Sequence, residues 1–249
     1  EDNMHLEEVE GIVTSETNYS ETSKIINVIT KEHELIGIMA KGARSLKSPF
    51  RSVTSKLTYG KFIIYYKENK LSTLKEVSII NSFKNLKKDI TKISYAAYLL
   101  ELSEGVIKQN NDKRVFELLI QSLIKINDGF DPLVIMNILE LKYLDFLGVM
   151  PVLDRCAICG RKTGITTLSS YRGGYVCNKC FTNEKRVSSK TIKLIRMFYY
   201  VDISKITKLD ISPEAKNEIN MFLDDYYTRY TGLYLKSKSF IKNLQKLIN

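Results

Sequence analysis

All four cysteines of this chain stand in two C-x₂-C pairs, Cys156-Ala-Ile-Cys159 and Cys177-Asn-Lys-Cys180, with seventeen residues between them. Each pair lets a tight turn aim two sulfurs at one point, and the separation is that of a tetrahedral zinc site. Gly160 follows the first pair and Gly173-Gly174 lead into the second, where positive φ is needed to bend the chain. Four soft thiolates leave no open coordination position, so a zinc ion held by Cys156, Cys159, Cys177 and Cys180 would be structural and would not activate water. A redox dithiol needs one such pair near a βαβ pattern and accounts poorly for two. Two disulfides would suit a secreted chain. The opening residues do not read as a signal peptide, so a reduced, cytoplasmic setting is expected, with residues 1–3 ahead of Met4 a cloning remnant.

Charge narrows the class of partner. The net charge is +10 over 249 residues, and it is unevenly placed. Residues 1–38 carry Lys24 and Lys31 against nine acids, whereas residues 41–75 carry nine basic side chains against Glu68 alone. Residues 151–249 hold 18 basic and 8 acidic residues, which is the whole excess. Clusters of this kind indicate a polyanionic partner more than they indicate solubility. No apolar run approaches the length of a membrane span.

The hydrophobic fraction of 44% supports real cores. Short β-branched runs at Val9–Thr14, Ile25–Thr30, Leu35–Ala40, Phe62–Tyr66 and Leu71–Val77 predict five strands in about eighty residues. Asn18–Glu21, Lys31–Glu34 and Lys67–Lys70 read as the turns between them. The most economical arrangement is a five-stranded OB-fold barrel, with a sandwich fragment as the alternative. From Leu86 the period turns helical. One helix has a stripe of Ile93, Ala97, Leu100 and Glu104, filled by Tyr95, Leu99 and Leu102 and reaching about Lys108, and a second runs from Val115 to Ile126 and closes at Gly129. A third opens at Asp131-Pro132 and ends at Gly148. Beyond the cysteines, Ser189 caps a helix, and Ser212-Pro213-Glu214 starts another that continues, bent near Gly232, as Tyr234–Ile248. The fold class is α+β: an N-terminal OB-fold β-barrel (1–80), then an α-helical domain (81–249) with an inserted Cys₄ zinc module (151–186).

Little here suggests catalysis. There is no P-loop, no G-x-S-x-G and no H-E-x-x-H; His5 and His33 read as plain surface residues, and Asp224-Asp225 as an acid pair on a helix surface. Binding is better supported. Lys41-Gly-Ala-Arg44-Ser-Leu-Lys47 leaves a strand and enters a loop, and loops between OB strands are where cations neutralise phosphates. Arg51, Lys56 and Lys61 extend this candidate DNA-binding track. Tyr65 and Tyr66 are stacking candidates, with the barrel core as the preferred alternative. A second patch, Arg161, Lys162, Arg172, Lys185 and Arg186, either binds phosphate or balances the thiolates. Arg229, Lys236, Lys238, Lys242 and Lys246 make a basic helix face, read as solvated unless an acidic partner exists.

The order of barrel, helices and Cys₄ module resembles the RecO family of bacterial recombination mediators. Local matches are Gly11-Ile-Val13 followed by Tyr19-Ser-Glu21, then Thr30 at a strand end, and the basic loop Lys41-Gly-Ala-Arg44 with Ser48. Further on, Leu147-Gly-Val-Met-Pro151 leads into Cys156-Ala-Ile-Cys159-Gly160, and Gly173-Gly174 precede Cys177. The chain departs from the family at Val53-Thr-Ser-Lys56, where members often read Leu-Gln-Pro-Phe. The resemblance implies a non-enzymatic DNA repair and homologous recombination protein, cytoplasmic and nucleoid-associated. Such a protein binds single- and double-stranded DNA and anneals complementary strands. Its implied partners are RecR, the C-terminal tail of the single-stranded-DNA-binding protein (SSB) and, indirectly, RecA, which it helps to load. Two other readings compete: a basic adaptor for acidic protein segments with DNA binding incidental, and a zinc-dependent nucleic-acid-modifying enzyme, which four cysteine ligands deny.

Overall fold

The computed structural model describes residues 4–248, so the expectations for residues 1–3 and for the Lys246 side chain fall outside the described residues. Five strands come first: β1 (His5–Tyr19), β2 (Ser23–Thr30), β3 (Glu34–Ala40), β4 (Tyr59–Tyr66) and β5 (Ser72–Asn81). They close into a barrel in the order β1-β2-β3-β5-β4, antiparallel except where β3 meets β5. This is the expected OB-like arrangement. β1 is long because it serves two neighbours. Its first half pairs with β4, from His5 opposite Tyr66 to Ile12 opposite Tyr59, and its second half pairs with β2. A register shift between Val13 and Ser15 bends it from one partner to the other, the usual work of a β-bulge.

The barrel interior is Val9, Val13, Ile26, Val28, Ile38, Ala40, Phe62, Ile64 and Leu74. Burying a large aliphatic or aromatic side chain contributes about 1.5–3 kcal/mol over leaving it exposed, and a one-residue slip would turn each strand's set to solvent. The strands are longer than the β-branched runs predicted. Asn18 and Tyr19 pair with β2 instead of turning, and β5 continues to Asn81.

A 3₁₀ turn at Leu86–Lys88 precedes helix α1 (Ile90–Gln109), whose N-cap Asp89 accepts from the amides of Thr91 and Lys92. α1 is buried around most of its circumference, so Tyr95, Leu99, Leu100 and Leu102 of the expected stripe are covered together with Ala96, Ser103 and Ile107 outside it. Ile93, Ala97 and Glu104 are only half-buried. Next come α2 (Arg114–Asn127) and α3 (Pro132–Phe146), the latter capped by Asp131. Strands β6 (Ile165–Ser169) and β7 (Gly174–Cys177) form a hairpin that periodicity did not reveal. α4 (Ser189–Tyr200) is capped by Ser188, one residue before the serine expected, and α5 (Pro213–Tyr230) by Ser212. α5 does not continue as a bent helix: Gly232 takes φ +65 and a separate α6 spans Lys236–Ile248.

The chain forms two compact units. The first takes in the barrel, α1, α2 as far as Leu123, and α6; the second runs from Ile124 to Lys236. In the second, α3 lies against α4 and α5. Its buried Glu140 accepts from the Asn137 amide at 3.0 Å, and the Tyr227 hydroxyl donates to the Glu140 carbonyl at 2.7 Å. No described helix is long and apolar enough to cross a membrane.

Candidate nucleic-acid interface and metal centre

The connection between β3 and β4, residues 41–58, has no regular element, yet successive turns hold it in place. Ser45 donates to Gly42 O at 3.0 Å and Ser48 to Ser45 O at 3.1 Å. The Thr54 hydroxyl, fully buried, donates to Phe50 O at 2.7 Å, so the Val53–Lys56 corner is pinned from inside. Leu57 and Thr58 exchange 2.9 Å backbone bonds with Val13 and close the loop onto β1. The Arg44 amide and guanidinium donate to Thr22 O and Ser20 O at 2.8 and 2.9 Å, which lays the loop over the β1–β2 turn.

Lys41, Arg44, Lys47, Arg51 and Lys56 are all exposed. Among the described residues none of the five side chains pairs with a carboxylate. Lys61 differs. It projects from β4 and pairs with Glu8 at 2.9 Å, and the Glu8 carboxylate holds its ammonium above the ordinary lysine range. Tyr66 packs on the barrel core, and Tyr65 is half-buried with the Lys75 ammonium 6.0 Å from its ring.

The histidines are not isolated surface residues. His33 stacks on Tyr66 at 4.0 Å, His5 meets the same ring edge-on at 5.6 Å, and both reach Glu7, at 2.8 and 3.2 Å. The shared face of His5 and Glu7 follows from strand alternation, but the approach of His33 depends on tertiary folding.

In the second unit the four cysteine sulfurs lie within 4.8 Å of one another, and those of Cys159 and Cys177 are 3.6 Å apart. All four thiols are free. Zinc–sulfur bonds of about 2.3 Å in a tetrahedron put sulfurs about 3.8 Å apart, so the donor set fits such an ion. Backbone groups build both turns: Gly160 donates to Cys156 O at 2.9 Å, and Cys180 and Phe181 donate to Cys177 O at 3.1 and 2.9 Å. Burial raises the Cys156 thiol, but N–H groups of Cys159, Cys177 and Ile158 outweigh it and hold the thiol down at about 6. Cys180 is pushed up to about 12, first by its sulfur contact with Cys159 and then by burial. Four sulfurs this close cannot all ionise unless a cation sits among them, which is the condition a divalent metal meets.

Of the second basic patch, Arg172 pairs with Glu184 at 3.3 Å, and Arg186 lies over the Phe181 ring at 4.3 Å. Arg161, Lys162, Lys185 and Arg186 are exposed and, among the described residues, have no carboxylate partner. The basic tail is not simply solvated: Lys238 is half-buried with its ammonium 4.7 Å from the Tyr98 ring, and Arg229 pairs with Asp225 at 2.7 Å. Sequence reasoning gave no role to Tyr171, which is 70% exposed, with Arg172 and Arg229 against its ring.

Residues 4–83 match the family model for the N-terminal part of recombination protein O, and residues 87–239 the model for its C-terminal part. The chain is 38% identical over 242 residues to a DNA repair protein RecO of Bacillus pumilus, covering 96% of this chain and 94% of that protein. It is 36% identical over 248 residues to the DNA repair protein RecO of Bacillus velezensis, and 35% identical over 248 residues to that of Listeria monocytogenes serotype 4b. Each of these two alignments covers 98% of this chain and 97% of the relative.

Proposed function

The chain belongs to the RecO family of DNA repair proteins, and from that premise we propose that it is a non-enzymatic mediator of homologous recombination that binds DNA backbones and anneals complementary strands. The observation that carries this reading is the 41–58 loop, which presents five exposed cations without carboxylate partners from a closed barrel. Such a surface contacts phosphates and not base edges, so it binds without reading sequence. Annealing follows from the same charge. A polycation that neutralises two strands together lowers their mutual repulsion and leaves base pairing to choose the partner.

In this reading the protein acts in the cytoplasm on the nucleoid, with RecR, on strands coated by SSB, and helps RecA to load. SSB would be engaged through its C-terminal tail. Cys156, Cys159, Cys177 and Cys180 would hold a zinc ion, which supplies a fixed cross-link between two backbone turns. The chain's own part is to orient those turns and to project Arg161, Lys162, Lys185 and Arg186 from them.

The direct test is annealing of SSB-coated complementary oligonucleotides, with DNA affinity measured alongside. The charge reversal Lys41→Glu, Arg44→Glu, Lys47→Glu should lower affinity on the order of tenfold or more at moderate salt, since three phosphate contacts become repulsions. Circular dichroism should not change, and the unfolding midpoint should fall only slightly, because all three side chains are exposed and the one structural bond lost is that of the Arg44 guanidinium to Ser20 O. Unchanged affinity would remove the loop from the interface, and failure to anneal SSB-coated strands would remove the mediator role.

A further inference from the structure

The turn Ser170–Gly173 joining β6 to β7 carries Tyr171, a residue 70% exposed. A large aromatic at a hairpin tip ordinarily folds back onto neighbouring side chains, because its apolar faces gain by leaving water. Here the backbone is held. The Ser170 hydroxyl donates to the Asp225 carboxylate, and the Tyr230 hydroxyl donates to Ser170 O at 2.6 Å and to Tyr171 O at 3.4 Å. The Arg172 amide donates to the Ser169 hydroxyl at 3.2 Å, and Gly173 donates to Ser170 O at 3.1 Å. The turn is anchored to α5 and the ring stays in solvent.

Two guanidiniums flank that ring, with Arg172 Cζ 5.4 Å and Arg229 Cζ 5.7 Å from its centroid. Each is oriented by one bond from its Nε, Arg172 to Glu184 at 3.3 Å and Arg229 to Asp225 at 2.7 Å. Their terminal N–H groups find no partner among the described residues. An exposed aromatic ring with oriented N–H donors against it is complementary to a planar ring joined to phosphates, which can stack on the tyrosine or displace a guanidinium onto its phosphate. That is an unstacked nucleotide, and paired bases in a duplex have no free face to offer. Tyr200 and Tyr234 are also exposed, but Tyr200 has a single guanidinium near it, 5.9 Å away, and neither stands on a pinned turn between two arginines.

We propose that Tyr171, with Arg172 and Arg229, forms a stacking platform for one base of single-stranded DNA, the two guanidiniums taking the adjoining phosphates. This rests on the DNA-binding reading above and adds to it a residue that separates single strands from duplex. Tyr171→Ala should lower affinity for an oligo(dT) strand by at least about fivefold, the lower end of what one base–aromatic stack is worth. Duplex affinity should hold, and Tyr171→Phe, which keeps the ring, should restore single-strand binding.

The chain contains no tryptophan, so Tyr171→Trp places a lone reporter at the site. Its emission should be quenched by oligo(dT) and not by duplex, whereas a Tyr234→Trp control should respond to neither. Full single-strand affinity in Tyr171→Ala, or equal losses on single and double strands, overturns the platform while the loop charge reversal still tests DNA binding. A wild-type chain that retains no DNA at low salt overturns both.

Discussion

A methyl group at Gly174 would have nowhere to go. A Cβ built on its backbone lies 2.2 Å from the Val152 carbonyl oxygen, and its φ of +147 is one that L side chains rarely adopt. The close approach has a purpose: Tyr175 donates to Val152 O, and Ala157 donates to Tyr175 O, which sets the first cysteine turn beside β7. Gly160 is the contrasting case, with φ +75 but nothing within 4 Å of its Cβ position. Gly174→Ala should therefore cost about 1–3 kcal/mol from backbone strain alone, with the clash in addition. Gly160→Ala should cost nearer 1 kcal/mol. Denaturation midpoints and zinc retained against a weak competing chelator measure the order, and equal effects at the two glycines would mean that Val152 gives way.

At the scale of the element, the β6–β7 hairpin of the cysteine module depends on what surrounds it: its contacts with α4 and α5, and the ion its sulfurs would hold. β6 and β7 span five and four residues, too short to persist as an isolated hairpin in water. One zinc per chain is expected. Its removal by a strong chelator should release the amides of Tyr175 and Cys177 to hydrogen exchange, while those of Val28 and Ile64 in the barrel keep their protection. Exchange that does not respond to chelation would deny the metal a structural role. The hairpin was illegible in the sequence for a local reason: Thr167, Leu168 and Ser169 are all buried, as is every residue of Gly174–Cys177, so neither strand shows an alternation to read. What was legible is local chemistry: the cysteine spacing, the Asp131 and Ser212 caps followed by proline, and the β-branched runs of the barrel. The stripe in α1 was only partly right, because a helix buried on most sides carries no polar face to mark phase. The candidate cations were visible as charge density. Which of them are offset, Lys61 by Glu8 and Arg172 by Glu184, is decided by strand pairing and turn geometry that residue order does not display.

For the molecule as a whole, the net charge of +10 says less than how much of it is free to meet phosphate. Much of the acid in the first unit is already engaged: Glu16 takes the Lys24 ammonium and the Lys56 amide, and Glu8 takes Lys61. The loop is left with Lys41, Arg44, Lys47, Arg51 and Lys56 as open cations. If each neutralises one phosphate of a single strand, the logarithm of the binding constant should fall against the logarithm of salt concentration with a slope of about −3.5 from this loop alone. Contacts by Arg161, Lys162, Lys185 and Arg186 in the second unit would steepen it. Reversing Lys41, Arg44 and Lys47 should flatten the slope by about 2, at every sequence alike, because phosphates carry no base identity. Anisotropy titrations of oligo(dT) and a mixed-sequence strand, from low to moderate salt, read both quantities at once. A slope near zero would mean that the affinity does not come from released counterions. A slope that stays the same in the charge-reversed protein would place the contacts elsewhere on the chain. A strong preference for one strand would mean that base edges are read, which a loop of exposed lysines and arginines is not built to do.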